Sequence, residues 1–225
     1  MKRKVIPELL DSDAGTPREI ADSLADLRMI NRRFGGARTM RELLREVARE
    51  RKLSQISWLD VAGASGDVAA LAGHGLRSQG IHAEAVVMDR SAQHLNGVHP
   101  SVCGDALALP FGDNSFDVVG CSLFAHHLEP EQIAGFAREA LRVARHALVI
   151  NDLVRHPVHL ALVYAGFPLY RSRLTRHDSV ASVRRAYTAE EMRNVLEASG
   201  AARIDVRQFY LFRMGVVAWK RPSSI

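Results

Sequence analysis

The chain has 225 residues, 47% of them apolar and 24% charged, which is enough for one α/β domain and too few for two ordinary ones. A chain of this length buries most of its apolar surface, so no structural metal is required, and Cys103 and Cys121 cannot build a disulfide framework. No run reaches the uncharged length of a membrane span, and Met1-Lys2-Arg3-Lys4 opens no apolar leader, so a cytoplasmic setting is expected. The net charge of +5 is modest and comes mostly from arginines scattered along the chain.

Up to residue 52 the pattern is helical. Ile20, Leu24, Leu27 and Phe34 recur at helical spacing, Gly35-Gly36 interrupts, and Met40, Leu43, Leu44 and Val47 resume it. We expect an N-terminal helical lid over 1–52 and an α/β domain over 53–225. In that domain the spacing predicts a strand over 56–61 and a helix over 67–79. A second strand follows over 83–88, ending at Asp89, then at most a short helix over 91–95. Further strands are expected over 101–103, 116–121 and 147–150, with a helix over 130–145 that carries Pro130 in its first turn. Such alternation predicts a parallel sheet covered by helices on both faces. Thr188-Ala189-Glu190-Glu191 reads as a capping box opening a helix that stops by Gly200. Strands over 203–209 and 216–220 are close enough to be antiparallel neighbours. The stretch 153–187 is long for a connection and combines an apolar run with arginines, so it reads as an inserted lid or pocket wall.

Open parallel sheets bind ligands at the carboxyl ends of their strands. The first strand here runs into Asp60-Val61-Ala62-Gly63-Ala64-Ser65-Gly66, whose small residues let backbone N–H groups approach a ligand. The second ends in Asp89, at the spacing where a carboxylate accepts from ribose hydroxyls. Together they predict a nucleoside-type cofactor.

The run Cys103-Gly104-Asp105-Ala106-Leu107-Ala108-Leu109-Pro110-Phe111, followed by Asp113-Asn114-Ser115-Phe116-Asp117-Val118-Val119, resembles the class I S-adenosylmethionine-dependent methyltransferases, in particular the branch with the quinone-biosynthesis enzymes. Ser122-Leu123-Phe124-Ala125-His126-His127-Leu128 and the closing hairpin fit the same family, and the resemblance covers about residues 53–220. It implies a Rossmann-like, seven-stranded, mostly parallel sheet with a C-terminal antiparallel hairpin, and S-adenosylmethionine as cofactor. It further implies that Asp60 and the turn Ala62, Gly63, Ala64, Ser65 and Gly66 cradle the methionine part. Asp89, with Arg90 beside it, would serve the ribose, and Asp105 and Ala106 the adenine. Ser122 and Leu123 would contact the methionine or face the substrate. The sequence departs from the family in the turn: Ala62 and Ala64 stand at the first two of three usual glycine positions, and only Gly66 keeps the third. A methyl group at either site crowds the ligand or strains the backbone.

Methyl transfer from a sulfonium is an in-line displacement, so the protein mainly aligns donor and acceptor. For a phenolic acceptor a neutral histidine is a suitable base. His126 and His127 follow the fourth strand and are the first candidates; the competing reading has one facing the core and the other capping the next helix. His177, beside Asp178, is the next candidate. No metal is expected. Asn151-Asp152 follows the fifth strand, where catechol-type methyltransferases place an acid, but Ser122 occupies the corresponding place after the fourth, and His156 and His159 read as residues of a polar helix face. Nucleic acid is not expected, because the Pro-Pro-aromatic and Pro-Cys signatures of base methylases are missing after the fourth strand. Arg171, Arg173, Arg176, Arg184 and Arg185 form a basic cluster that reads as a solvated face or a site for a carboxylate or phenolate.

Two functions follow as expectations. The first is methylation of a small molecule, on oxygen of a phenolic or polyketide-like compound of secondary metabolism. The second is a non-methylating relative, a binding module or cyclase-like protein with weakened cofactor binding. Ala62 and Ala64 favour the second; Asp89, Asp105 and Ala106 favour the first.

Overall fold

A computed structural model of the chain describes all residues except Asp13, Asn96, His99 and 222–225. Among the described residues seven strands form one sheet: β1 (Gln55–Val61), β2 (His82–Asp89), β3 (Ser101–Cys103), β4 (Phe116–Ser122), β5 (Ala144–Leu153), β6 (Arg203–Phe209) and β7 (Arg213–Trp219). Their order is β3-β2-β1-β4-β5-β7-β6, with β7 antiparallel to both β5 and β6. The order reverses between β1 and β4, which opens a crevice at the carboxyl edge of the sheet. Val61 lies opposite Met88 and Cys121, so the turn that begins at Ala62 starts level with Asp89 and Ser122.

Two apolar layers cover the sheet. On one face α2 (Gly36–Arg51) turns Met40, Leu43, Leu44, Val47 and Ala48 inward, the stripe its spacing predicts, and meets Trp58, Val149 and α3 (Asp67–Arg77). On the other, α4 (Pro130–Val143) and α7 (Ala189–Glu197) bury Ile133, Phe136, Ala140, Met192 and Leu196 against Leu59, Val119 and Ile150. The helix α2, which precedes the boundary expected near residue 53, thus shares a core with the strands. The capping box of α7 forms as expected, Thr188 Oγ1 accepting from the Glu191 N–H at 3.2 Å and Glu191 accepting from the Thr188 N–H at 2.8 Å. A second box, Thr16 with Glu19, opens α1 (Pro17–Arg33).

The stretch 153–187 folds into α5 (Pro157–Ala165), a 3-10 turn (Phe167–Leu169) and α6 (Arg173–Arg185). The chain between residues 91 and 95 forms turns and no helix. Helix α4 ends two residues earlier than expected, at Val143, and β5 begins at once. Ala144 already has an extended backbone and pairs with Phe116, and the Lys220 ammonium donates to the carbonyls of Arg142 and Ala144. At the far end β5 gains length by pairing with β7, which begins at Arg213 and not at 216. No described helix is long and apolar enough to cross a membrane.

Candidate active site

The carboxyl ends of β1, β2, β4 and β5 open into one cavity of about 810 Å³, walled by α1, α5, α6 and the segment that precedes α1. Of the residues expected to hold a cofactor, Asp60, Ala62, Gly63, Ala64, Ser65, Asp89, Arg90, Asp105, Ala106, Ser122 and Leu123 line it; Gly66 does not and packs near Val87 and Val98.

The turn after β1 keeps its alanines in a conformation that favours glycine. Ala62 and Ala64 have φ of 56° and 42°, a left-handed geometry that costs an L-residue about 1–2 kcal/mol. Leu123 and Leu211, with φ of 55° each, also line the cavity, so local strain gathers around it. Gly63 is required for another reason: a Cβ there would stand 2.7 Å from Val87 Cγ1 and 2.8 Å from Asp60 Oδ2.

Asp60 is fully buried, and neither carboxylate oxygen has a hydrogen-bond partner among the described residues. Burial, with Asp67 and Asp89 nearby, pushes its carboxyl up to about 8. Asp89 behaves in the opposite way. Burial alone would raise it, but His94 and the N–H groups of Ser91 (2.9 Å) and Ala64 (3.1 Å) outweigh that and hold it below the usual carboxylate range. Three acids around one turn, one of them with orphaned oxygens, fit a ligand that carries cationic centres and hydroxyls. S-adenosylmethionine has an ammonium, a sulfonium and a ribose, so the residues present fit the cofactor that the resemblance implies. Asp105 is exposed and accepts from the Leu107 N–H at 2.9 Å, with Ala106 half-buried beside it. Ser122 Oγ accepts from Asn151 Nδ2 at 2.6 Å, and the Leu123 N–H donates to the Asn151 carbonyl at 2.8 Å.

Both histidines after β4 line the cavity, so neither faces the core away from it, and α4 is capped by Glu129 instead. His126 is 2% exposed. Asp152 grips it twice, accepting from its backbone N–H at 2.9 Å and meeting Nδ1 at 2.6 Å. Its Nε2 lies 3.4 Å from Glu8 Oε1. Burial opposes the charged ring, yet the two carboxylates prevail and push it up to about 10. His127 meets Asp11 through Nδ1 at 3.0 Å, and its Nε2 lies 3.7 Å from the same Glu8 oxygen. His177 is not part of the constellation. It meets Asp178 at 2.8 Å but lies outside the cavity, its side chain 42% exposed.

The remaining histidines and arginines also separate. His156 is the N-cap of α5, accepting from the Val158 N–H, while His159 is buried, bonded through Nδ1 to the Val154 carbonyl at 3.0 Å. They therefore share no polar helix face. Of the basic cluster only Arg185 lines the cavity; Arg173 pairs with Glu19 and Arg176 donates to the Tyr170 carbonyl. Glu8, Asp11 and Arg213 were not legible as site residues. Arg213 is fully buried, lines the cavity, and has an Nη1 without a partner among the described residues. The acids lie in Pro7-Glu8-Leu9-Leu10-Asp11, where no helical or strand period marks them.

The fold and the turn define an α/β protein with a candidate nucleoside-cofactor site at its topological switch point. Residues 59–147 match the family model described as a methyltransferase domain. Solved structures share the fold. A SAM-dependent methyltransferase from Aquifex aeolicus is 18% identical with a TM-score of 0.55, over 79% of this chain and 89% of that one. An O-methyltransferase family 2 protein from Planctomyces limnophilus, solved with apigenin, is 18% identical with a TM-score of 0.61, over 92% of this chain and 63% of that one. Magnesium protoporphyrin IX methyltransferase from Synechocystis, solved with SAH, is 14% identical with a TM-score of 0.52, over 83% and 84%. No curated protein matches the sequence. Residues 59–147 thus match a methyltransferase domain, and the chain has the fold of the S-adenosylmethionine-dependent methyltransferases it resembles in structure.

Proposed function

We propose that the enzyme methylates oxygen of a small phenolic or polyketide-like acceptor. The observation that carries this reading is the composition of the cavity at the carboxyl edge of the sheet. It joins the acid-rich turn to an apolar wall, with Leu24, Leu27, Ile30 and Leu162, and to a polar cluster of Glu8, Asp11, His126, His127 and Arg185. Apolar walls with a few convergent polar groups suit an aromatic compound carrying one reactive hydroxyl. Arg185 and the buried Arg213 add positive charge suited to a phenolate or carboxylate.

Bound S-adenosylmethionine supplies a methyl group activated on a sulfonium. Asp60 and the turn hold the methionine part, Asp89 the ribose, and Asp105 with Ala106 the adenine. Ser122 and Leu123 border the acceptor side. Helix α1 and the stretch 153–187 enclose the acceptor and exclude water, with His126 and His127 on the cavity wall beside it. A neighbour in fold solved with apigenin is in keeping with such an acceptor.

The strained alanines favour one rival, a relative that no longer transfers methyl groups. A search by mass for methylated products, with isotope-labelled donor and a library of phenols, separates the two. Transfer to a phenolic oxygen supports the proposal. Tight cofactor binding with no product from any phenol would refute it.

A further inference from the structure

Among the described residues Glu8, His126 and His127 bring three ligand atoms to within 4.8 Å of one another on the cavity wall. Nε2 of His126 and Nε2 of His127 both approach the same Glu8 Oε1, at 3.4 and 3.7 Å. These separations are long for hydrogen bonds. They are close to the edge of a tetrahedron around an ion with ligands at about 2.0–2.1 Å, which is about 3.3–3.4 Å.

The outer groups point the same way. Each histidine has its Nδ1 taken by a carboxylate, Asp152 for His126 at 2.6 Å and Asp11 for His127 at 3.0 Å, which turns each Nε2 inward. This carboxylate–histidine pairing is how metal-ligating imidazoles are oriented. Glu8 is held by the Ser182 hydroxyl, which donates to Oε1 at 2.7 Å. His126 Nε2 is buried with no hydrogen-bond partner among the described residues. Glu8, Asp11 and Asp152 set three carboxylates around the two rings, so an ion bound at Nε2 of His126 would take the place of a proton there.

We propose that Glu8, His126 and His127 form a site for a divalent transition-metal ion, with Asp152, Asp11 and Ser182 fixing the three ligands. Two imidazoles and a carboxylate suit zinc or cobalt(II), and also manganese or iron(II). Three protein ligands leave a coordination position open toward the cavity, where water or an acceptor oxygen completes the sphere. The ion would also tie the segment preceding α1 to the chain after β4. This proposal does not depend on the acceptor being phenolic.

The test uses the full chain, dialysed against chelator and titrated with cobalt(II) without donor or acceptor. We expect the visible absorption of four- or five-coordinate cobalt at one equivalent, displaced by zinc. Glu8→Gln and His127→Ala should each abolish the band or weaken affinity more than tenfold. Asp11→Asn, which alters only an outer group, should weaken it by about 10–100-fold. His126→Ala removes a buried ring, so the two less buried positions carry the test if that variant fails to fold. No visible band together with no calorimetric zinc binding would overturn the proposal. So would binding that persists unchanged in both Glu8→Gln and His127→Ala, which would put the ion elsewhere. Neither result bears on the methyl acceptor, which the product search addresses separately.

Discussion

The backbone N–H of Ser172 donates to Oδ2 of Asp26 at 3.0 Å, linking positions 146 residues apart. Ser172 is the N-cap of α6 and Asp26 is buried on α1, so the bond ties the first helix to the segment after β5. Asp26 also accepts from the Arg171 N–H at 2.9 Å, and Asp178 of α6 accepts from the N–H groups of Leu9 and Leu10. Two stretches remote in sequence thereby become one wall of the cavity.

Asp26→Ala leaves two N–H groups at that junction without their acceptor. An unsatisfied buried donor costs about 1–3 kcal/mol, so denaturant unfolding should show a stability loss of that order. A loss under about 0.5 kcal/mol would mean that water replaces the carboxylate at no cost.

Asp60 makes the stability of the ligand-free protein depend on pH. Its carboxyl is raised from 3.8 to about 8 in the folded chain, so between those values the folded state holds a proton that the unfolded state has released. The contribution is fully present below pH 3.8 and is lost as pH rises through about 8. Asp60→Asn should therefore stabilise the ligand-free protein at pH 8 more than at pH 5. Equal effects at both pH values would show that the carboxyl is not held neutral.

Asp89→Ala removes the acceptor assigned to the ribose hydroxyls. Hydrogen bonds to a charged group contribute about 1.5–3 kcal/mol, equivalent to about a tenfold to hundredfold loss in affinity. Calorimetric titration with S-adenosylmethionine checks this, and unchanged binding would remove Asp89 from the cofactor site.

Ala64→Gly tests the strained turn. Relief of a left-handed alanine, about 1–2 kcal/mol, exceeds the backbone entropy that glycine adds, about 0.5–1 kcal/mol. The variant should be as stable as the parent or more so, and bind S-adenosylmethionine at least as well. A large loss of affinity would show that the Ala64 methyl group is itself a contact.

Much of this architecture was legible because burial imposes a period on it. Met40, Leu43, Leu44 and Val47 recur at helical spacing, and the buried strands read as short apolar runs. The order turn, Asp89, Asp105 marked residues that the fold gathers on one cavity wall. What stayed hidden lacks a local signature. Glu8 and Asp11 precede the first helix and acquire meaning only because α6 holds that segment over the cavity. Arg213 looks like an ordinary hairpin charge until β5 pairs with it and buries it. Leu123 and Leu211 take positive φ without a glycine to announce it. The early start of β5 came from the pairing of Ala144 with Phe116 of β4, which no propensity of Ala144 or Arg145 could signal.

Trp58 and Trp219 are the chain's two tryptophans, and both sit in the apolar layer shared by α2, α3 and the sheet; neither lines the cavity. Their indoles change surroundings when the sheet comes apart and keep them when a ligand enters. Tryptophan fluorescence, excited apart from tyrosine, is thus a readout of folding that is silent to occupancy. A shift in emission on adding donor, acceptor or metal would mean that events in the cavity are transmitted through the strands to the opposite helices.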